Sequence, residues 1–495
     1  MYGIIGLDEP LEMNGGELVK SYQLALLPVD SRPCCAVFPA RIAQTAGVSL
    51  LTPPQGAYRD FMAEADIPAL TAWLREAAGQ ADALVFSSDM LAYGGLATSA
   101  RCLIGTEEAL ERLEVIRELK REHPALKIYA ASSLQRTSTA IFNHGDVALY
   151  NDFALYSELC DKLDRYHRPE DARQLKEVTD RLPAEDLQGY LRTRQRGLAV
   201  NRRMVEWAAE GLLEFVILGQ NDTGVYSLAR REQRELMRLI SDKRVQSRCI
   251  LYPGCDEMEQ VLVMRALLRQ RGVKPRVFVR YSSVLGPTIV SELEDIPVGE
   301  NVRSQIYALG GVNVDSPEAA DILLLVNTAA APRESLSFFG GRSDAWEKRS
   351  PSPEHNLWDF VSAMGYYLDT GRRVAVADLA FPNGCDIDLI RLMEETIDLT
   401  RLAAFSGWNT AGNALGTALA HAAARFLAET GDERTLEQET VHREFLLERF
   451  ADDYLYQDVV RPAVNARLEQ DCLLYTSGAP CPVPAPACPP TRPPR

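Results

Sequence analysis

Ala83-Leu-Val-Phe-Ser-Ser-Asp89-Met-Leu-Ala-Tyr93-Gly-Gly-Leu-Ala-Thr-Ser-Ala-Arg101 is the stretch that decides the fold. Its first four residues are uninterruptedly apolar, without the alternation of a half-buried strand, which is how a parallel strand covered on both faces reads. The chain then turns polar at Ser87, Ser88 and Asp89. Nine other short apolar runs end in the same way, at 24–29, 48–51, 128–131, 215–218, 250–252, 277–279, 322–326, 374–377 and 402–405. Helical stretches separate them. Thr106 precedes Glu107 and Glu108 and opens a covering helix over 109–122, with acidic residues at its start and Lys120 and Arg121 at its end. Strands alternating with helices predict the α/β class, with mostly parallel sheets.

Spacing divides the chain into two α/β domains. Residues 21–270 hold the first six runs, and 271–430 form a second, Rossmann-like unit with the last four. Residues 143–211, rich in Leu, Arg, Glu and Tyr and punctuated by Pro169 and Pro183, read as a helical lid inserted into the first domain. Residues 1–20 are an N-terminal extension and 431–471 a set of C-terminal helices. The competing architecture is a (β/α)8-type barrel over 24–326 followed by an α/β extension. From Cys472 to Arg495 the chain is proline-rich, and Cys472-Leu-Leu-Tyr-Thr-Ser477 resembles the translation of a sequencing-library adapter, so 472–495 are left out of the fold as a disordered or foreign tail.

With 495 residues, 46% of them hydrophobic, the chain can bury a large core without disulfides. The formal charge is 53 − 69 = −16, and no Lys/Arg face with interleaved aromatics accompanies it. Nucleic acid is therefore not an expected partner. The N-terminus mixes Asp8, Glu9, Glu12 and Glu17 among its apolar positions, and no window approaches 18 apolar residues, so neither a leader nor a membrane span is expected. The cysteines show no metal-knuckle spacing, which fits a reducing, cytoplasmic compartment.

In open α/β sheets and barrels alike, ligands bind beyond the carboxyl ends of the strands. The residues there are Asp30 and Arg32; Ser87, Ser88 and Asp89; Ser132, Ser133 and Arg136; Asn221 and Asp222; Asp256 and Glu257; Asn327; Asp378; and Trp408, Asn409 and Thr410. Taken singly, each Asp, Asn or Ser is better explained as a helix cap or turn former. Capping does not explain Arg32 and Arg136 among carboxylates. After Asp89, Tyr93, Gly94 and Gly95 form a flexible loop suited to close ligand approach, and Trp408 offers a stacking face beside Asn409 and Thr410. None of the six histidines falls on a strand end, which disfavours Ser-His-Asp hydrolysis and His-rich zinc sites; His144 is the one to watch. Cys34 and Cys35, adjacent to Arg32, are either a thiolate site or small buried hydrophobes.

These same segments resemble the bacterial domain-of-unknown-function family 4127 from about Leu26 to Arg461. The likeness rests on Pro28-Val-Asp-Ser-Arg-Pro33, Ser88-Asp-Met-Leu-Ala-Tyr-Gly-Gly-Leu96, Gly219-Gln-Asn-Asp222, Pro253-Gly-Cys-Asp-Glu257, Pro382-Asn-Gly-Cys-Asp386, Gly407-Trp-Asn-Thr-Ala-Gly-Asn413 and Tyr456-Gln-Asp-Val-Val-Arg461. Asn221 departs from the family's usual Asp, and Arg101 follows Ala100 where the family runs Ser-Arg. The resemblance implies a shared strand-end cleft and no particular activity.

Carboxylate chemistry is what the residues favour. The first expectation is a hydrolase of a carbohydrate or other polar small molecule, with Asp222 and Glu257 as paired acid and base. Asp30, Arg32, Asp89, Tyr93, Gly94, Gly95, Arg136, Asn221, Asp256, Asn327, Asp378, Trp408, Asn409 and Thr410 then hold the substrate. The second is a metal-dependent isomerase or hydrolase, with Asp30, Asp89 and Asp256 around magnesium or manganese. The third is a two-lobed binding protein without turnover. The ligand in each is a small polar molecule, a sugar among the candidates.

Overall fold

The computed structural model describes residues 11–14, 17–20, 22–59, 61–101, 103–137, 147–328, 355–431 and 435–467. A short antiparallel hairpin, β1 (Leu11–Asn14) and β2 (Glu17–Lys20), comes first. The first sheet contains β3 (Leu24–Leu27), β4 (Leu50–Leu51), β5 (Ala83–Ser87), β6 (Lys127–Leu134), β7 (Phe215–Gln220) and β8 (Cys249–Pro253). Their spatial order is β4-β3-β5-β6-β7-β8, with every pairing parallel. The second sheet contains β9 (Arg276–Tyr281), β10 (Val312–Asn313), β11 (Ile322–Asn327), β12 (Val374–Asp378) and β13 (Ala404–Ser406), in the order β10-β9-β11-β12-β13, again all parallel. The fold is α/β in two domains. Both sheets are open, with two edges each, so the barrel alternative is set aside.

The two sheets share one winding plan. In each, the second strand goes to the edge and the third returns to the other side of the first, which creates a crevice beyond the carboxyl ends at that switch point. The switch points are β3/β5 in the first sheet and β9/β11 in the second. Of the strands that form them, β3, β5 and β11 are fully buried, whereas β9 is mostly half-buried.

One apolar core joins the lobes. Leu24, Val85 and Ile217 from the first sheet belong to the same buried cluster as Val277, Leu324 and Ala375 from the second. Helix Met258–Gln270 lies on the first sheet, helix Ala411–Thr430 lies on the second, and the two pack on each other. Helix Ala411–Thr430 is apolar nearly all round, as a helix enclosed on every side must be. Separate clusters cover the outer faces of the first and second sheets.

Residues of the 143–211 segment form helices Val147–Tyr166, Pro169–Arg181 and Ala184–Ala209. Pro169 sits in the first turn of the second helix and Pro183 caps the third, so the prolines that punctuate the sequence begin helices. At the other end, helix Leu436–Arg449 packs on helix Phe38–Thr45 of the first lobe and against β13 of the second. It continues as a π-helix, Phe450–Val460. Among the described residues, no helix is long and apolar enough to cross a membrane.

Candidate functional site

The β3/β5 switch point is built around Arg32. Asp30, three residues beyond β3, accepts the Arg32 backbone N–H at 2.9 Å, and this turn points the guanidinium along the strand ends. Arg32 donates through Nε to Asp30 at 3.1 and 3.0 Å and through Nη2 at 2.7 Å. Its other edge donates to Asp256 at 3.0 Å from Nη1 and 2.6 Å from Nη2. Asn409, beyond β13, completes the row by donating to Asp256 at 2.8 Å. Phe61 lies under the guanidinium, 4.7 Å from ring centre to Cζ. The Arg32 side chain is 28% exposed, whereas those of Asp30 and Asp256 are 3% and 5% exposed. The structure thus brings together four residues from strand ends in both lobes.

The second lobe's contribution is held in place by amides. Asn413, in the first turn of helix Ala411–Thr430, accepts the backbone N–H groups of Cys255 and Asp256 at 3.0 Å each. It also donates to the Thr410 hydroxyl at 3.1 Å. Asn409 itself has φ 57°, a left-handed conformation in which Asn is among the tolerated side chains. Trp408 does not present a stacking face. Its indole Nε1 donates to Thr417 at 3.2 Å and its ring meets Phe38 edge-on at 5.9 Å, so it packs the interlobe layer.

Asp89 lies on the other side of the crevice, in the short helix Ser88–Tyr93 after β5. It accepts from Ser133 N–H at 2.9 Å and Ser133 Oγ at 2.6 Å. Ser88 donates to Ser132, and Ser132 to Asn201 of the inserted helices, at 2.6 and 2.7 Å. Burial pushes the Asp89 carboxyl up to about 6, against the pull of the Ser133 hydrogen bonds. Tyr93 and Gly94, expected as ligand contacts, lie against neighbouring elements. Tyr93 lies beneath the Arg196 guanidinium at 4.5 Å, and a Cβ on Gly94, which has φ 77°, would come 2.7 Å from the Ala65 backbone nitrogen.

Arg136 and Asp222 form a close ion pair across the ends of β6 and β7, with side chains 12% and 14% exposed. Asn221 accepts the Asp222 N–H at 2.9 Å. The insertion covers this pair, because Arg194 donates to the Arg136 carbonyl at 2.8 Å and Tyr190 to the Thr137 carbonyl at 2.6 Å. Glu257 does not face Asp222 across an opening. It is fully buried, with its carboxyl against Gly254, where φ is 134° and any Cβ would collide with it, and with Gln305 at 3.5 Å. Burial, reinforced by Asp256 and Glu294, raises its pKa well above the ordinary carboxylate range. The expected acid/base pair of Asp222 and Glu257 is therefore corrected: Glu257 is enclosed in the core.

Two buried carboxyls escaped the strand-end reading. Neither oxygen of Glu259 has a hydrogen-bond partner among the described residues, and burial raises its pKa strongly, with Asp30, Asp256 and Asp89 nearby adding to the shift. Glu294 accepts the Gly412 N–H and, at 3.2 Å, the Asn301 amide. Burial pushes Glu294 up to about 8. Both sit in segments that run between strands and give no polar signal at a strand end.

The β11 and β12 ends form a second polar group. Asn327 donates to Asp378 at 3.0 Å and to Asp386 at 3.4 Å, and its carbonyl meets His355 Nε2 at 2.8 Å. Burial and the neighbouring Asp386 push Asp378 up to about 7. This group connects to the first through Asn383, whose N–H donates to the Asn409 carbonyl at 2.7 Å. The C-terminal π-helix braces both loops: Asp453 accepts the Gly407 N–H at 2.9 Å and Asp458 the Cys385 N–H at 2.6 Å.

A divalent cation does not fit where the sequence suggests one. The space between Asp30 and Asp256 is filled by the Arg32 guanidinium. Among the described residues, no group of three or more His, Cys, Asp or Glu is arranged to hold a metal. His144 lies outside the described residues, as does the tail from 468 onward. A family model described as a protein of unknown function, DUF4127, matches residues 24–473. No curated protein matches the chain.

Proposed function

The chain belongs to the DUF4127 family of proteins of unknown function, and we propose that it is an enzyme that hydrolyses a hydroxyl-bearing small molecule, a carbohydrate by preference, seated at the β3/β5 switch point. The observation that carries this reading is the row Asp30, Arg32, Asp256 and Asn409. Carboxylate, guanidinium and amide groups in a row offer alternating acceptors and donors to vicinal hydroxyls. Two carboxylates against one guanidinium leave a net negative field, which favours neutral or amine-bearing ligands over phosphorylated ones.

Asp89 takes the acid role. A carboxyl lifted to about 6 keeps a protonated fraction near neutral pH, as a general acid requires. Asp222, its charge balanced by Arg136, acts as the base. The two lie beyond β5 and β7, with β6 between them. A cytoplasmic location fits the free thiols of Cys34, Cys35, Cys160, Cys249, Cys255 and Cys385.

A hinge-closing binder is disfavoured by the core that runs continuously between the lobes. The test is turnover of a panel of neutral and amine-bearing glycosides in 18O-labelled water. The proposal expects label in the released sugar; release without label, or isomerisation without bond cleavage, overturns hydrolysis. Unchanged turnover in the presence of a chelator is expected, and its loss would restore the metal-dependent reading.

A further inference from the structure

Cys34 and Cys35 are consecutive, in the one-turn helix Pro33–Ala36 that follows Arg32. Both thiols are free, and their sulfurs lie 3.5 Å apart. Cys35 Sγ accepts from Arg32 Nη2 at 3.7 Å and donates toward the Asp256 carbonyl at 3.8 Å. The pair therefore adjoins the Arg32 row from behind. Cys34 is 7% exposed, on a turn whose flanking Pro33 and Val37 are both exposed.

Three kinds of chemistry compete for two adjacent thiols. A disulfide is opposed by geometry, because neighbouring Cα atoms are about 3.8 Å apart and bridged ones usually at least about 4.4 Å. Zinc needs four ligands, and among the described residues no third and fourth donors are in place. An atom bonded to both sulfurs at about 2.3 Å, an ordinary metal–thiolate length, would subtend an angle of about 100° across the 3.5 Å gap. That angle suits a soft, pyramidal, trivalent centre and excludes a linear two-coordinate one.

We propose that Cys34 and Cys35 form a binding site for trivalent arsenicals. An arsenoso group, R–As=O, forms two As–S bonds, and its oxygen leaves as water with the two thiol protons, so no oxidant or reductant is needed. Burial raises the Cys35 thiol above its ordinary range. Bonding at Cys35 also occupies the sulfur that Arg32 Nη2 faces, which couples the site to the crevice.

The test uses the full reduced chain with phenylarsine oxide as probe, followed by intact mass and peptide mapping. The expected result is one phenylarsenic group gained per chain with one water lost. The adduct maps to the peptide carrying both cysteines, survives excess glutathione and is reversed by dithiothreitol. Cys34→Ser and Cys35→Ser each lose the glutathione-resistant adduct, and Cys255→Ser keeps it. An adduct that maps elsewhere in the wild-type chain, or that persists in both Cys34→Ser and Cys35→Ser, overturns the proposal. Mapping on the wild-type chain decides the matter even where a variant fails to fold.

Discussion

Arg32 stands between two carboxylates that would repel each other without it. Arg32→Ala leaves Asp30 and Asp256 facing each other in a buried site; breaking a fully buried pair costs about 3–5 kcal/mol, and the partial exposure of the arginine reduces this to about 2–3 kcal/mol. Urea unfolding measures it, and a change within about 0.5 kcal/mol would contradict the bridge. Glu259 makes the opposite prediction. A carboxyl whose folded pKa is raised adds stability below the unfolded value and loses it as pH rises above the ordinary carboxylate range. Glu259→Gln should therefore stabilise the protein at pH 8 and lose that advantage near pH 4; equal stability at both would mean that Glu259 is solvated or partnered. Asp30, Arg32, Asp89, Asp256 and Asn409 were legible because polar residues at strand ends interrupt apolar runs. Glu259 and Asn413 were not, since each lies within a helix, where a polar residue usually marks a solvent face. The pairing of Asp222 with Glu257 failed for a different reason: Gly254 turns the backbone so that Glu257 folds inward, which spacing along the chain does not reveal.

Close contact between elements makes some glycines irreplaceable and leaves others free. A Cβ at Gly412 would collide with the Pro253 carbonyl, where helix Ala411–Thr430 meets the end of β8, whereas a Cβ at Gly79 would meet nothing within 4 Å. Gly412→Ala should cost about 1–3 kcal/mol, and Gly79→Ala should stabilise by about 0.5–1 kcal/mol; thermal unfolding of the two variants checks both signs. Helices Ala411–Thr430 and Leu436–Arg449 are joined by His421 and His442, whose ring nitrogens lie 2.9 Å apart in a buried site faced by Arg425, Arg449, Glu439 and Glu429. Burial and the nearby cations depress both histidines, His442 to about 4 and His421 well below its ordinary value. The unfolded chain takes up protons below about pH 6.5 while the folded one does not until about pH 4. Stability should fall across that window, with faster hydrogen exchange in helix Leu436–Arg449 at pH 5 than at pH 7 after correction for the intrinsic rate. Corrected rates that match at both pH values would contradict it. All ten apolar runs correspond to strands, but β10 was invisible. It is only Val312 and Asn313, both exposed, and it is a strand through its pairing with β9 alone.

The molecule is two copies of one winding plan laid back to back on shared helices, and that sharing governs both stability and function. Because one cluster contains residues of both sheets, neither lobe has a complete core without the other, and unfolding should be a single cooperative transition. The α/β class was readable from the apolar runs. The arrangement of the lobes was not, because helices Met258–Gln270 and Ala411–Thr430 are apolar over most of their surface and so do not announce which sheet each one faces. The shared layer fixes the strand ends of both lobes relative to one another, so Asn409 reaches Asp256 without a closing motion. Central to this account is that carboxylates at this fixed edge carry out hydrolysis. The most direct measurement is kcat for glycoside hydrolysis by Asp89→Asn and Asp222→Asn beside the wild-type chain, with urea unfolding of each as the control for folding. The prediction is a loss of about 10²–10⁴-fold in each variant with a folded protein; full activity in both folded variants would contradict it.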